Sequence, residues 1–129
     1  MMKPITIENY DRNYAAYEPQ KEGLDHLAPL INGIAIIAVI GTWCADSKLY
    51  VPQFNKVLDA LGFPENQLTL IEVDENKMAI NASISHLNIK SVPTFIIYKQ
   101  GEELGRIIES PQLSLEEDLL SIIDTPNLQ

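Results

Sequence analysis

The sequence of 129 residues has one cysteine, at position 44. A single cysteine cannot form a disulfide bond within the chain, which excludes both a disulfide-stabilised scaffold and a two-thiol redox cycle inside one molecule. One cysteine and two widely separated histidines also do not make a zinc-binding pattern. We therefore expect no metal and no cofactor.

Positive charge is also scarce. The nine Lys and Arg residues face 18 Asp and Glu residues, which gives a formal net charge of −9. Nucleic acids and anionic membranes both attract basic surfaces, so we expect neither as a partner. The first 14 residues have one lysine and no apolar segment of signal-peptide length, which favours a cytoplasmic location.

Apolar runs are short, and the most prominent one is Ile34–Ile40, IAIIAVI. Seven residues cannot cross a bilayer, and the many β-branched side chains favour a buried strand. Apolar spacing and turn residues predict helices over 18–31, 47–61, 77–87 and from 114, and further strands over 68–73, 94–98 and 104–109. Residues 3–13 are interpreted as a short edge strand or an arm.

This order of elements predicts an α/β fold: a three-layer sandwich with a mixed central sheet of four or five strands, flanked by helices. The length suits a single domain over residues 1–129. Within it, residues 1–30 form an N-terminal strand or arm and a helix, and residues 34–125 form the core.

The thiol of Cys44 lies where the strand Ile34–Ile40 gives way to a helix. The helix N-terminus, the hydroxyl of Ser47 three residues later and the charge of Lys48 would each favour the thiolate, whereas Asp46 opposes it. A lone cysteine can also be a small buried hydrophobic residue without reactivity. Both interpretations stay open at this point.

Three segments resemble the thioredoxin superfamily: Trp43-Cys44-Ala45-Asp46-Ser47-Lys48, Ser91-Val92-Pro93-Thr94-Phe95 and Tyr98-Lys99-Gln100-Gly101. The resemblance covers roughly residues 30–125 and implies a thioredoxin-like sandwich. It also implies that Cys44 is the attacking cysteine and that Pro93 is a cis-proline facing its sulfur. Val92 and Pro93 would then present backbone to an extended substrate, and Trp43 would contact that substrate beside the thiol.

The chain departs from the family pattern at three positions. Ser47 replaces the resolving cysteine, Ala38 stands at the position of the buried acid, and Leu70 is at about the position of its lysine partner. The first hypothesis is therefore a monothiol CxxS protein that exchanges with protein or glutathione thiols and disulfides and needs an external thiol for release. The alternative is a non-catalytic thioredoxin-fold module that binds a peptide or protein.

Overall fold

The computed structural model describes residues 7–76 and 84–124. In these residues a four-stranded mixed sheet is built from β1 (Ile34–Ile40), β2 (Leu68–Glu72), β3 (Thr94–Lys99) and β4 (Glu102–Ile108). The strand order is β2-β1-β3-β4. Strand β1 pairs with β2 in parallel and with β3 antiparallel, and β3 pairs with β4 antiparallel. This confirms the predicted mixed sheet and places β1 inside it.

The described helices are α1 (Tyr10–Ala16), α2 (Lys21–Leu27), α3 (Ala45–Leu61) and α4 (Leu115–Ile123). Successive residues of β1 point to opposite faces of the sheet. Ile36, Ala38 and Ile40 join a core cluster that includes side chains of α2, α3 and α4, and there the rings of Phe54 and Phe95 stack with centroids 4.1 Å apart. The α/β sandwich is thus confirmed.

The opposite face of the sheet carries a second apolar cluster. Val39 of β1 and Ile96 of β3 pack there against Ile84, Leu87 and Val92. Residues 77–83 of the predicted helix 77–87 lie outside the described residues, and Ser85–Leu87 form a 3-10 turn. The segment before β3 therefore covers this face close to Cys44, which packs against the same cluster.

The N-terminal elements differ from the prediction in their bounds. Residues 1–6 lie outside the described residues, and with them positions 3–6 of the predicted edge strand or arm over residues 3–13. The end of that range is helical instead, since α1 begins at Tyr10. The predicted helix 18–31 is observed as α2, followed by the 3-10 turn Ala28–Leu30. Pro29 lies in that turn, since proline has no amide hydrogen to continue an α-helix.

Pro52 lies inside α3 and leaves one carbonyl without its usual partner. In a regular helix the amide of residue 52 would donate to the carbonyl of Lys48, but proline has no amide hydrogen. The side-chain amide of Asn13 donates to the Lys48 carbonyl instead, at 3.1 Å. A residue of α1 thus completes the helix one turn after Cys44.

Three tyrosines fix the N-terminal segment to the body of the protein. Tyr10 accepts a hydrogen bond from Asn55 of α3, and Tyr14 donates to Asp59. That bond to a carboxylate raises the pKa of Tyr14 to about 12. Tyr17 donates to the buried Glu116 of α4, and burial together with that carboxylate also raises the pKa of Tyr17.

Candidate active site

Cys44 lies at the junction between β1 and α3. It has extended backbone angles (φ −95°, ψ 129°) and immediately precedes the first residue of α3, so its side chain is at the N-terminus of a 17-residue helix. The Cys44 amide donates to the Gly41 carbonyl at 3.0 Å, which closes a tight turn between strand and helix. The thiol is half-buried.

The backbone before β3 faces the thiol. The Val92–Pro93 peptide bond is cis, and Cys44 Sγ donates to the Val92 carbonyl at 3.4 Å. Thr94 Oγ1 donates to the Ser91 carbonyl at 2.7 Å, and the Glu109 amide donates to the Pro93 carbonyl at 2.8 Å. The loop is therefore held from both sides where it approaches the sulfur.

Trp43 lies beside the thiol with its ring 37% exposed. Its indole Nε1 donates to the Val73 carbonyl at 3.0 Å, just beyond the end of β2. The ring also covers Gly41: a Cβ at that position would lie 2.7 Å from Trp43 Cε2 and 2.8 Å from Cζ2. The indole is thus held by its hydrogen bond to Val73 and by its contact with Gly41, and part of it remains open to solvent.

Ser47 does not make the contact predicted for it. Its side chain is fully buried, and Oγ accepts a hydrogen bond from the Gly41 amide at 3.1 Å. Within the described residues no hydrogen bond joins Ser47 to Cys44 Sγ, whose bond goes to Val92. The predicted hydrogen bond from Ser47 to the thiol is therefore wrong, because the first turn of α3 directs this hydroxyl back toward the end of β1.

Lys48 is also less available than its position in the sequence suggested. Its ammonium group forms an ion pair with Glu8 at 3.0 Å. This neighbouring carboxylate offsets the positive charge that was expected to favour a Cys44 thiolate. The pair is partly exposed, and such surface pairs contribute little to stability.

The buried acid–lysine pair expected from the family is absent from the register of β1 and β2. Ala38 is the strand partner of Leu70, and the Ala38 side chain is buried. Neither residue can transfer a proton. The positions that correspond to the proton-transfer residues of a disulfide reductase are therefore apolar.

Three residues of the site were not singled out from the sequence: Gly41, Glu72 and Val73. Val73 accepts from the indole, and Glu72 accepts from Thr42 Oγ1 at 3.3 Å. A glycine at the end of a strand can indicate the close approach of another group, and Gly41 carries this signal. No sequence pattern points to the Val73 carbonyl, because a backbone contact across strands depends on the fold.

Residues 7–76 and 84–124 contain no group of three or more side chains suited to binding a metal ion. In the same ranges, no helix combines the length and apolar character needed to cross a membrane.

Comparisons with known proteins agree with the fold. A family model described as thioredoxin matches residues 2–119. A protein of Dictyostelium discoideum that is named as a thioredoxin is 30% identical over 102 residues, which are 78% of this chain and 92% of that protein. Thioredoxin of Gallus gallus is 27% identical over 90 residues, covering 70% of this chain and 80% of the other.

Among solved structures, thioredoxin-2 of the malaria parasite has a TM-score of 0.51 and 22% identity, covering 72% of this chain and 82% of the other. An HIV epitope scaffold has a TM-score of 0.67 and 12% identity over 95% of this chain and 88% of its own. These two likenesses concern the fold alone. The family match over most of the chain, together with the Cys44 site, shows that the chain belongs to the thioredoxin family.

Proposed function

We propose that the protein carries out thiol–disulfide exchange with Cys44 as its single nucleophile, and that an external thiol completes each cycle. Membership of the thioredoxin family supports thiol–disulfide redox chemistry in general. The observation that carries the monothiol proposal is the half-exposed Cys44 at the start of α3, facing Val92–Pro93, in a chain with no second cysteine.

The first step converts one disulfide into another. The Cys44 thiolate attacks one sulfur of a substrate disulfide, a Cys44–substrate disulfide forms, and the second substrate sulfur leaves as a thiolate and takes up a proton from water. Ser47 cannot resolve this intermediate because a hydroxyl forms no disulfide. An external thiol, such as glutathione, attacks the mixed disulfide, regenerates the Cys44 thiolate and keeps the substrate sulfur in a new disulfide.

The need for an external thiol limits the reactions that the site supports. With a glutathionylated protein, Cys44 takes the glutathionyl group and frees the protein thiol. A second glutathione then attacks the Cys44–glutathione disulfide, which releases glutathione disulfide and regenerates the Cys44 thiolate. With a protein that has several cysteines, a thiol of that same protein can release Cys44, which gives isomerisation. Net reduction needs the external thiol, so we place the protein in a thiol-rich compartment such as the cytoplasm.

Substrate would bind along the loop before β3. Thr94 bonds to the Ser91 carbonyl and Glu109 to the Pro93 carbonyl, so the backbone between them is held within reach of the sulfur. An extended segment can pair with this backbone. The exposed part of the Trp43 ring would contact the same segment. Protein thiols, protein disulfides and glutathione adducts are the proposed partners.

An insulin reduction assay with dithiothreitol as the external thiol tests the limit set by Ser47. We expect wild type to exceed the uncatalysed rate only slightly, because each mixed disulfide must wait for dithiothreitol, and Ser47→Cys to be clearly faster, because the variant supplies a resolving thiol within the same molecule. Cys44→Ser is the matched control and should be inactive. Equal rates for wild type and Ser47→Cys would refute the claim that Ser47 limits turnover, provided that Cys44 of the variant still reacts with glutathione disulfide at the wild-type rate.

A second candidate function is a binding module without chemistry. The apolar pair Ala38 and Leu70 favours it, because neither side chain can transfer a proton. If it is correct, Cys44→Ser should bind a peptide or protein partner as tightly as wild type does. Loss of binding or of partner capture in Cys44→Ser would favour the covalent mechanism instead.

A further inference from the structure

Gly41 contacts three residues of the site, which are Ser47, Cys44 and Trp43. Its amide donates to Ser47 Oγ at 3.1 Å, and its carbonyl accepts from the Cys44 amide at 3.0 Å. Its Cα is covered by the Trp43 ring, which leaves no room for a Cβ. The backbone position of Cys44 therefore depends directly on how Gly41 is held.

Ser47 holds Gly41 from inside the protein. Its side chain is 0% exposed, so water cannot replace its hydroxyl as the acceptor for the Gly41 amide. A buried amide without an acceptor is costly, whereas a serine hydroxyl is a good acceptor and a thiol is a weak one. Position 47 is thus better suited by serine than by cysteine for this backbone contact.

We propose that Ser47 is a positioning residue that acts through Gly41 on Cys44. The inference rests on the proposed function, because it explains how the sulfur of a single nucleophile is oriented in the absence of a second thiol. Ser47 fixes the Gly41 peptide, Gly41 fixes the Cys44 amide, and the sulfur is thereby directed at the Val92 carbonyl. The hydroxyl takes no part in the thiol chemistry itself.

The proposal separates two kinds of reactivity. Alkylation by iodoacetamide needs only an accessible thiolate. Attack on a disulfide also needs the three sulfur atoms in line, and poor alignment of reacting atoms costs large factors in rate. Loss of the Ser47 hydroxyl should therefore slow disulfide exchange much more than it slows alkylation.

The test compares Ser47→Ala with Val57→Ala. Val57 is fully buried in α3, far along the helix from Cys44, so its truncation destabilises the same helix without touching the junction. For Ser47→Ala we expect reaction with glutathione disulfide to slow about tenfold and alkylation to change less than about threefold. Val57→Ala should change neither rate by more than about twofold.

Hydrogen exchange of the Gly41 amide gives a second readout that does not depend on activity. Ser47→Ala should accelerate it about tenfold or more relative to Val57→Ala at matched global stability. An unchanged Gly41 amide, or equal effects of the two variants on disulfide exchange, would overturn the proposal. If wild-type Cys44 did not react with glutathione disulfide at all, the proposed function would fail, while the Gly41 amide would still decide the role of Ser47.

Discussion

Replacement of Gly41 by alanine tests the described packing of the site most sharply. The added Cβ would lie 2.7 Å from Trp43 Cε2 and 2.8 Å from Cζ2, which is closer than these atoms can approach. The indole is at the protein surface, so the ring has room to swing into solvent. That movement breaks its hydrogen bond to the Val73 carbonyl.

Three effects set the expected change in stability. Loss of the indole hydrogen bond costs about 0.5–1.5 kcal/mol. Replacement of glycine by alanine restricts the unfolded chain and returns about 0.4–1 kcal/mol. These two effects nearly cancel, so the net destabilisation is set by the ring surface that becomes exposed, at about 25 cal/mol per Å². A spectroscopic assay reports on the ring more directly than a denaturation curve does.

Trp43 is the only tryptophan, so intrinsic fluorescence reports on this ring alone. Gly41→Ala should shift the emission maximum to longer wavelength and increase quenching by acrylamide, because the ring becomes more exposed. Gly105→Ala is a suitable control, since its added Cβ would crowd Ile122 at 3.1 Å and not the indole. Unchanged emission and quenching in Gly41→Ala would refute the described packing of Trp43 on Gly41.

Two further predictions concern stability, and urea unfolding measures both. Asn13→Ala removes the donor to the Lys48 carbonyl and should cost about 1 kcal/mol. The cost should shrink in a Pro52→Ala background, where alanine restores the helical amide, and an equal cost in both backgrounds would contradict this account. Arg106 lowers the pKa of Glu103 chiefly through its hydrogen bonds, so their stabilisation is present at neutral pH and is lost as the pH falls through the folded-state pKa. Glu103→Gln should be less stable than wild type at pH 7 by at most about 1 kcal/mol, the two should converge in acid, and a constant gap would be inconsistent with the pair.

Several features follow from local sequence. The β-branched run Ile34–Ile40 is the observed β1 residue for residue. The helix predicted from residue 114 is observed as α4, and Ser114 is its N-cap, since its Oγ accepts from the Glu117 amide. These predictions succeed because apolar runs and capping residues act over a few positions.

Bounds with weak apolar signals were less accurate. Helix α3 begins at Ala45, two or three residues before the prediction, because its first turn has no apolar stripe. Strand β4 begins at Glu102 and not at Leu104, since the first residues of this edge strand are exposed and polar. The contacts of Ser47 and Lys48 could not be read from spacing, because their partners Gly41 and Glu8 are brought to them by the fold.

The central claim is that Cys44 starts the exchange and that nothing else in the chain finishes it. Intact-mass spectrometry of the folded protein with glutathione disulfide tests this most directly. We expect one glutathionyl group on wild type, none on Cys44→Ser, and persistence of the adduct until reduced glutathione is added. A folded wild-type protein that stays unmodified while the urea-unfolded protein is modified would contradict the claim, as would an adduct that disappears without added thiol.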